Sequence, residues 1–376
     1  MNIYLDNAAT TKIDSEVVNV MTDCLKNRYG NPSSIHAFGR KSRSLIECSR
    51  QKIAELIDAS PQDIYFTSGG TEADNMAIRG AVRDLNIKNI ITSKIEHPAV
   101  INTMSHLKRK NKANIYYVDL SPNGIVDLNH LEHLLKTNKN TLVSLMHANN
   151  EIGNLICLNK VSTLCLKYGA LFHSDTVQTI GHIPISVKET PVDFLACSAH
   201  KIHGPKGIGF LYKKNSVDIT PLIHGGSQEN NMRGGTEYLH GIVGLSKAME
   251  IACKNLEKDK KHILGLKSRM IHKLNESIPE LKFNGQSKDL ENSLYTILSI
   301  SLPNQDYSDL LLFNLDLLGI ACSGGSACSS GSSSPSHVIS QLKNRENRIN
   351  IRFSFSKYNT KEEIDYVVEK LAYLVC

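Results

Sequence analysis

Apolar residues in the first two thirds of the chain come in short unbroken runs, separated by longer stretches of helical period. The runs at 64–67, 89–92, 115–118, 142–146, 171–174, 193–197 and 208–212 are rich in Ile, Val, Leu and Phe and predict strands. Between the first of them, the spacing predicts helices over 71–82 and 97–108. A strand with one wet face alternates apolar and polar positions. Unbroken apolar strands joined by helices therefore predict an α/β fold with a large, mostly parallel sheet covered on both faces. A long helical pattern follows from 236 to 277. Beyond it strand and helix alternate on a smaller scale, at 294–301, 310–318, 349–355 and 361–375. The expected organisation is a large domain over 16–250 and a smaller α+β domain over 251–376, with residues 1–15 packing against the smaller one.

Composition is that of a globular chain: 376 residues, 41% hydrophobic and 21% charged, enough for two domains. The net charge of +6 is scattered. Its two short basic runs, 108–110 and 258–261, fall in amphipathic helices and read as solvated faces, so no nucleic-acid partner is expected. The nine cysteines show no CxxC and no pairing rhythm, which suits reduced thiols. No apolar run reaches the roughly 18 residues of a membrane span, and residues 1–6 lack the basic and apolar segments of a signal peptide. A soluble, cytoplasmic protein is expected, and no metal site.

In open α/β sheets ligands gather beyond the carboxyl ends of the strands, so the polar residues there carry the chemistry. Ser68-Gly69-Gly70-Thr71-Glu72 follows a strand and opens a helix; it reads as an anion cup of bare amides or as a plain cap after a tight turn. His147-Ala148-Asn149-Asn150-Glu151 reads as a turn cap. Asp175 ends a buried strand, where a carboxylate needs a cation, a donor or a helix to cap. Lys201, in Ser198-Ala199-His200-Lys201, also follows a buried strand. Burial there favours a nucleophilic amine or a Schiff-base former, whereas Lys206 sits in the Gly-Pro turn behind it and is expected in solvent. A Schiff-base lysine, a carboxylate and an anion cup at successive strand ends are what pyridoxal phosphate requires. Cys328 lies among Gly and Ser, in an accessible loop rather than a core, while Cys322 ends an apolar run and reads as structural. Arg352 sits within a short strand, where it meets a structural carboxylate or captures one from a ligand.

These motifs, with Tyr4-Leu5-Asp6-Asn7-Ala8-Ala9-Thr10-Thr11, Gly30-Asn31-Pro32-Ser33-Ser34, Glu96-His97, Asp175-Thr176-Val177-Gln178, Arg233-Gly234-Gly235-Thr236-Glu237 and Gly325-Ser326-Ala327-Cys328, run nearly end to end. Together they resemble the cysteine desulfurase family, class-V aminotransferase-like enzymes of pyridoxal-phosphate fold type I, in the nitrogen-fixation and iron–sulfur-assembly branch.

The resemblance implies conversion of L-cysteine to L-alanine, with sulfur carried as a persulfide on Cys328. It implies that Lys201 bonds the cofactor, Asp175 holds the ring nitrogen, Gln178 reaches the ring hydroxyl and His97 stacks on the ring and moves a proton. Asn150 would contact the cofactor; Gly70, Thr71, Ser198 and His200 would hold its phosphate. Thr236 would reach the phosphate of a second subunit, so a homodimer is expected. Arg352 would bind the substrate carboxylate. A sulfur-acceptor protein, either an iron–sulfur scaffold or a sulfur carrier, is the expected partner. A selenocysteine lyase or a class-V aminotransferase without sulfur transfer would keep Lys201 and Asp175 as well; an aminotransferase has no need of Cys328.

Overall fold

The structure, a computed structural model, describes residues 2–303, 310–324, 336–343 and 348–375. After β1 (Ile3–Tyr4), α1 (Ser15–Asn27) and α2 (Ala37–Leu56), strands and helices alternate. They are β2 (Ile64–Thr67), α3 (Gly70–Asp84), β3 (Asn89–Thr92), α4 (Pro98–Arg109), β4 (Asn114–Tyr117), α5 (Leu128–Thr137), β5 (Thr141–Ser144), α6 (Leu158–Tyr168) and β6 (Leu171–Asp175), with β7 (Phe194–Ser198) and β8 (Gly209–Lys213) completing the set. The seven strands form one sheet in the order β2-β8-β7-β6-β5-β3-β4. Strands β3 to β7 are mutually parallel, and β8 runs against both neighbours.

Successive side chains of a strand leave opposite faces. Leu142 and Phe194 accordingly enter one core with Ile78 and Met104 of α3 and α4, while Val143 and Leu195 enter a second with Ile46 and Val161 of α2 and α6. Two buried faces explain why the apolar runs are continuous. Of the two edge strands, β2 is buried throughout, whereas only the middle of β4 is partly covered.

The remaining elements are α7 (Leu239–Ser277), β9 (Lys282–Phe283), β10 (Ile297–Pro303), α8 (Leu311–Leu317), β11 (Ile320–Ala321), β12 (Arg348–Ser354) and α9 (Lys361–Val375). Strand β10 lies between β12 and β9, antiparallel to both, with Ser299 opposite Arg352. Strand β1 pairs in parallel with β11. Helix α7 is 39 residues long and serves two cores. Its Ile242, Leu245 and Met249 pack with the large sheet, whereas Ile263, Leu266 and Met270 pack with β10, β12 and α9. Ile3 and Leu5 join that second core. On this ground we propose 16–250 as the large unit and 251–376, with 1–15, as the small one, position 250 lying inside a continuous helix.

Asp14 ties the start of α1 to the approach to α9. It caps Glu16 and accepts bonds from Lys357 Nζ and the Tyr358 hydroxyl, both at 2.8 Å. Burial opposes its charge, but these donors win and hold its carboxyl down at about 2. A carboxyl lowered on folding contributes stability above its unfolded value, about 3.9, and loses it as pH falls through the folded value. Asp14→Asn should therefore lower the urea midpoint at pH 7, with the deficit shrinking towards pH 2.

None of the seven described cysteines forms a disulfide. Among the described residues no helix is long and apolar enough to cross a membrane, and no group of His, Cys, Asp and Glu could hold a metal ion.

Candidate active site

Leu171 packs in the core beneath α3, so His173 and Asp175, two and four positions on, leave the same face of the sheet. Phe194 and Ala196 likewise bring Ser198 to that face on β7. Both strands end there, and a cavity of about 340 Å³ opens beyond them. Of the residues singled out from sequence, Gly70, Thr71, His97, Asn150, Asp175, Gln178, Ser198, His200, Lys201 and Arg352 all line it.

The cup at the start of α3 is built by glycine. Gly69 has φ +149°, and a Cβ on Gly70 would lie 2.5 Å from Val177 Cγ2. Among the described residues no side chain caps this helix, and Gly70 and Thr71 line the cavity, so its first amides can serve as an anion site. Glu72 is turned away, bonded to the Ser68 amide and to Arg233.

Lys201 Nζ donates to the carbonyls of Ala8 and Ala9, at 2.6 and 2.9 Å. This N-terminal turn thus presents the amine to the cavity, and Gln178 Nε2 fixes the turn by donating to Ala8 at 3.0 Å. Lys206 is exposed, as expected. Asp175 is 6% exposed, and its Oδ1 accepts from the Val177 amide at 2.9 Å. It is therefore both a turn cap and a buried carboxyl. Burial pushes its carboxyl up, opposed by His97, that amide and Lys201.

His97 caps α4, its Nδ1 accepting from Ala99 at 3.1 Å, so the neutral ring carries its proton on Nε2. Burial pulls its imidazole down. His200 is held by Thr10 Oγ1 at 3.2 Å and is lowered to about 4 by burial. Of the two asparagines, Asn149 is structural, capping Glu151 and Ile152, while Asn150 faces the cavity.

Arg352, 1% exposed, donates to Asp6 Oδ1 at 2.7 Å and to the Asn150 carbonyl at 2.8 Å. The structural carboxylate of the sequence reading is Asp6, and Arg352 also lines the cavity. Its Nε is buried and bonds none of the described residues; what a ligand carboxylate can meet is the part of the guanidinium that lines the cavity. Cys322 is held up at about 12 by burial and by Asp6, a protonated thiol.

Thr236 is exposed and does not line the cavity. Cys328 lies outside the described residues. On its two sides, Ser323 bonds Asp6 at 2.7 Å and Ser336 bonds Glu151 at 2.5 Å. Sequence reasoning missed Asp74, which also lines the cavity. The available signal was its place one helical turn after Gly70, on the face that the cup fixes.

The donor set fits pyridoxal phosphate. Uncapped amides with the Thr71 and Ser198 hydroxyls suit a phosphate, the buried Asp175 suits a protonated ring nitrogen, and the primary amine of Lys201 lines the same cavity.

Comparison with known proteins agrees. The family described as aminotransferase class-V matches residues 3–367. Cysteine desulfurase IscS of Dictyoglomus turgidum is 43% identical, covering 99% of this chain and 94% of its own. Putative cysteine desulfurase IscS 1 of Bacillus subtilis is 40% identical, covering 99% and 98%. A solved NifS-like protein superposes with a TM-score of 0.91 at 38% identity, covering 100% of this chain and 99% of its own. A structure described as SspA in complex with cysteine gives 0.82 at 30%, covering 95% and 100%. With motif, fold and site in agreement, the chain belongs to the cysteine desulfurases, pyridoxal-phosphate-dependent enzymes of the class-V aminotransferase family.

Proposed function

We propose that this protein takes sulfur from L-cysteine, releases L-alanine, and holds the sulfur on Cys328 as a persulfide for delivery to an iron–sulfur scaffold or a sulfur-carrier protein. The observation that carries the reading is the convergence of Lys201, Asp175 and Arg352 on one cavity. The likeness to a structure described with cysteine supports the substrate.

When bound, pyridoxal phosphate supplies an electron sink next to the substrate's Cα. Gly70, Thr71, Ser198 and His200 hold its phosphate, Asp175 its ring nitrogen, Gln178 its ring hydroxyl, and His97 and Asn150 its remaining contacts. Arg352 orients the substrate by its carboxylate, and the Lys201 amine accepts and returns the proton at Cα. The Cys328 thiolate attacks the substrate sulfur: an S–S bond forms, the C–S bond breaks, and the electron pair and a proton end on the carbon that becomes the alanine methyl group. Cysteine and enzyme thiol thus give alanine and persulfide with no outside oxidant. The working unit in this reading is a homodimer in the cytoplasm, in which Thr236, an exposed residue, reaches the phosphate bound by the second copy.

Supplying L-cysteine should release alanine in step with persulfide on Cys328, read by mass spectrometry. Alanine formed with sulfur on another thiol, or a keto acid in place of alanine, would overturn the proposal. Arg352→Lys keeps the charge but loses the fork, and should raise KM for L-cysteine by about tenfold or more, the worth of a charge-assisted bond, with a smaller change in kcat.

A further inference from the structure

Behind Asp175 lies a row of polar side chains that the reaction above does not use. On β5, Ser144 stands opposite His173 of β6, and its Oγ is 2.8 Å from His173 Nδ1. His173 Nε2 is 3.2 Å from Asp74 Oδ1 on α3. All three side chains are at most 1% exposed, and the two facing atoms, His173 Nε2 and Asp74 Oδ1, have no hydrogen-bond partner among the described residues as they stand, so a proton has to be placed between them. The row ends at the cavity, where Asp74 and Asp175 both form the wall.

Charge decides how the row is wired. Asp74 faces Asp175 from β6 and Glu96 from the approach to α4, all three carboxyls being buried. Lys201, His97 and Arg352 line the same cavity, but Arg352 is committed to Asp6, and Lys201 and His97 act on Asp175. Like charges in a low dielectric cannot all ionise. We infer that Asp74 is a positioning residue that enters the site as a carboxylic acid, giving its hydrogen bond to His173 Nε2 while His173 Nδ1 donates to Ser144, so that Asp175 is the anion left to meet the cofactor ring. The directions of the three groups agree: burial and Asp175 push Asp74 well up, burial lifts Glu96 to about 8, and burial lowers His173 to about 3.

The inference rests on the role proposed for Asp175, and two measurements separate them. In holoenzyme carrying Asp74→Asn, a neutral replacement of the same shape, the pH midpoint of the visible cofactor band should correspond to an acid constant within about threefold of the parent's. A larger downward move in that midpoint would mean that an anion had been removed, and would overturn the inference. In the wild-type chain without cofactor, nitrogen NMR of His173 should find its proton on Nδ1 and Nε2 bare; a proton on Nε2 overturns it as well. That second reading needs no variant to fold and no cofactor to bind. Persistence of the band's position and intensity in Asp175→Ala would instead count against the role given to Asp175.

Discussion

Replacing Lys201 with alanine is expected to lower L-cysteine turnover by about 10³-fold or more, the range for loss of a group that moves a proton at the reacting carbon. The same change should remove covalent cofactor attachment, so that the visible band of the purified protein shifts and the cofactor is lost on dialysis. The structure explains why no neighbour substitutes. Lys201 Nζ is held against the Ala8 and Ala9 carbonyls at the mouth of the cavity, while Lys206 points to solvent. Absorption spectra, bound phosphate and alanine release, measured on one preparation, check this prediction. A dialysis-stable cofactor in the alanine variant would show that another amine carries it.

Replacing Cys328 with alanine should remove protein-bound persulfide and lower alanine release from L-cysteine by about 10²-fold or more, the scale of a lost nucleophile. The cofactor band should stay in place, because Lys201, Asp175 and the Gly70-Thr71 cup are untouched. Cys322 cannot take over: its thiol is held protonated, and the neighbouring Ser323 is pinned by backbone bonds to Arg352 and by its hydroxyl to Asp6. Mass spectrometry after a single turnover reads the persulfide directly. Keto acid released by this variant as fast as the parent releases alanine would indicate transamination.

The strand ends were legible because each follows a run that is apolar on both faces, and buried sheets leave that signature. Asp175, Ser198 and Lys201 could be read from their place after such runs, and the cavity brings them together. Direction was not legible. Periodicity does not distinguish β8, which runs against both its neighbours, from β7, which runs parallel to β6. Helices α1 and α2 were not predicted, and the register of β4 was placed one residue late. Asp74 escaped because an aspartate inside an amphipathic helix ordinarily faces water, and only the packing of α3 over β6 buries it. The Asp14–Lys357 and Asp6–Arg352 pairs join residues hundreds of positions apart, which no local pattern encodes.

Arg352 draws its carboxylate partner from 346 positions earlier in the chain, and β1 waits for β11 in the same way. During synthesis the large sheet can therefore collapse well before the pocket has its full wall. Until the region around position 352 leaves the ribosome, Asp6 has no guanidinium to meet and the turn at Ala8 and Ala9 is tethered only from the sheet side. A nascent chain would thus complete the part of the cavity wall that Arg352 forms among the last events of its translation.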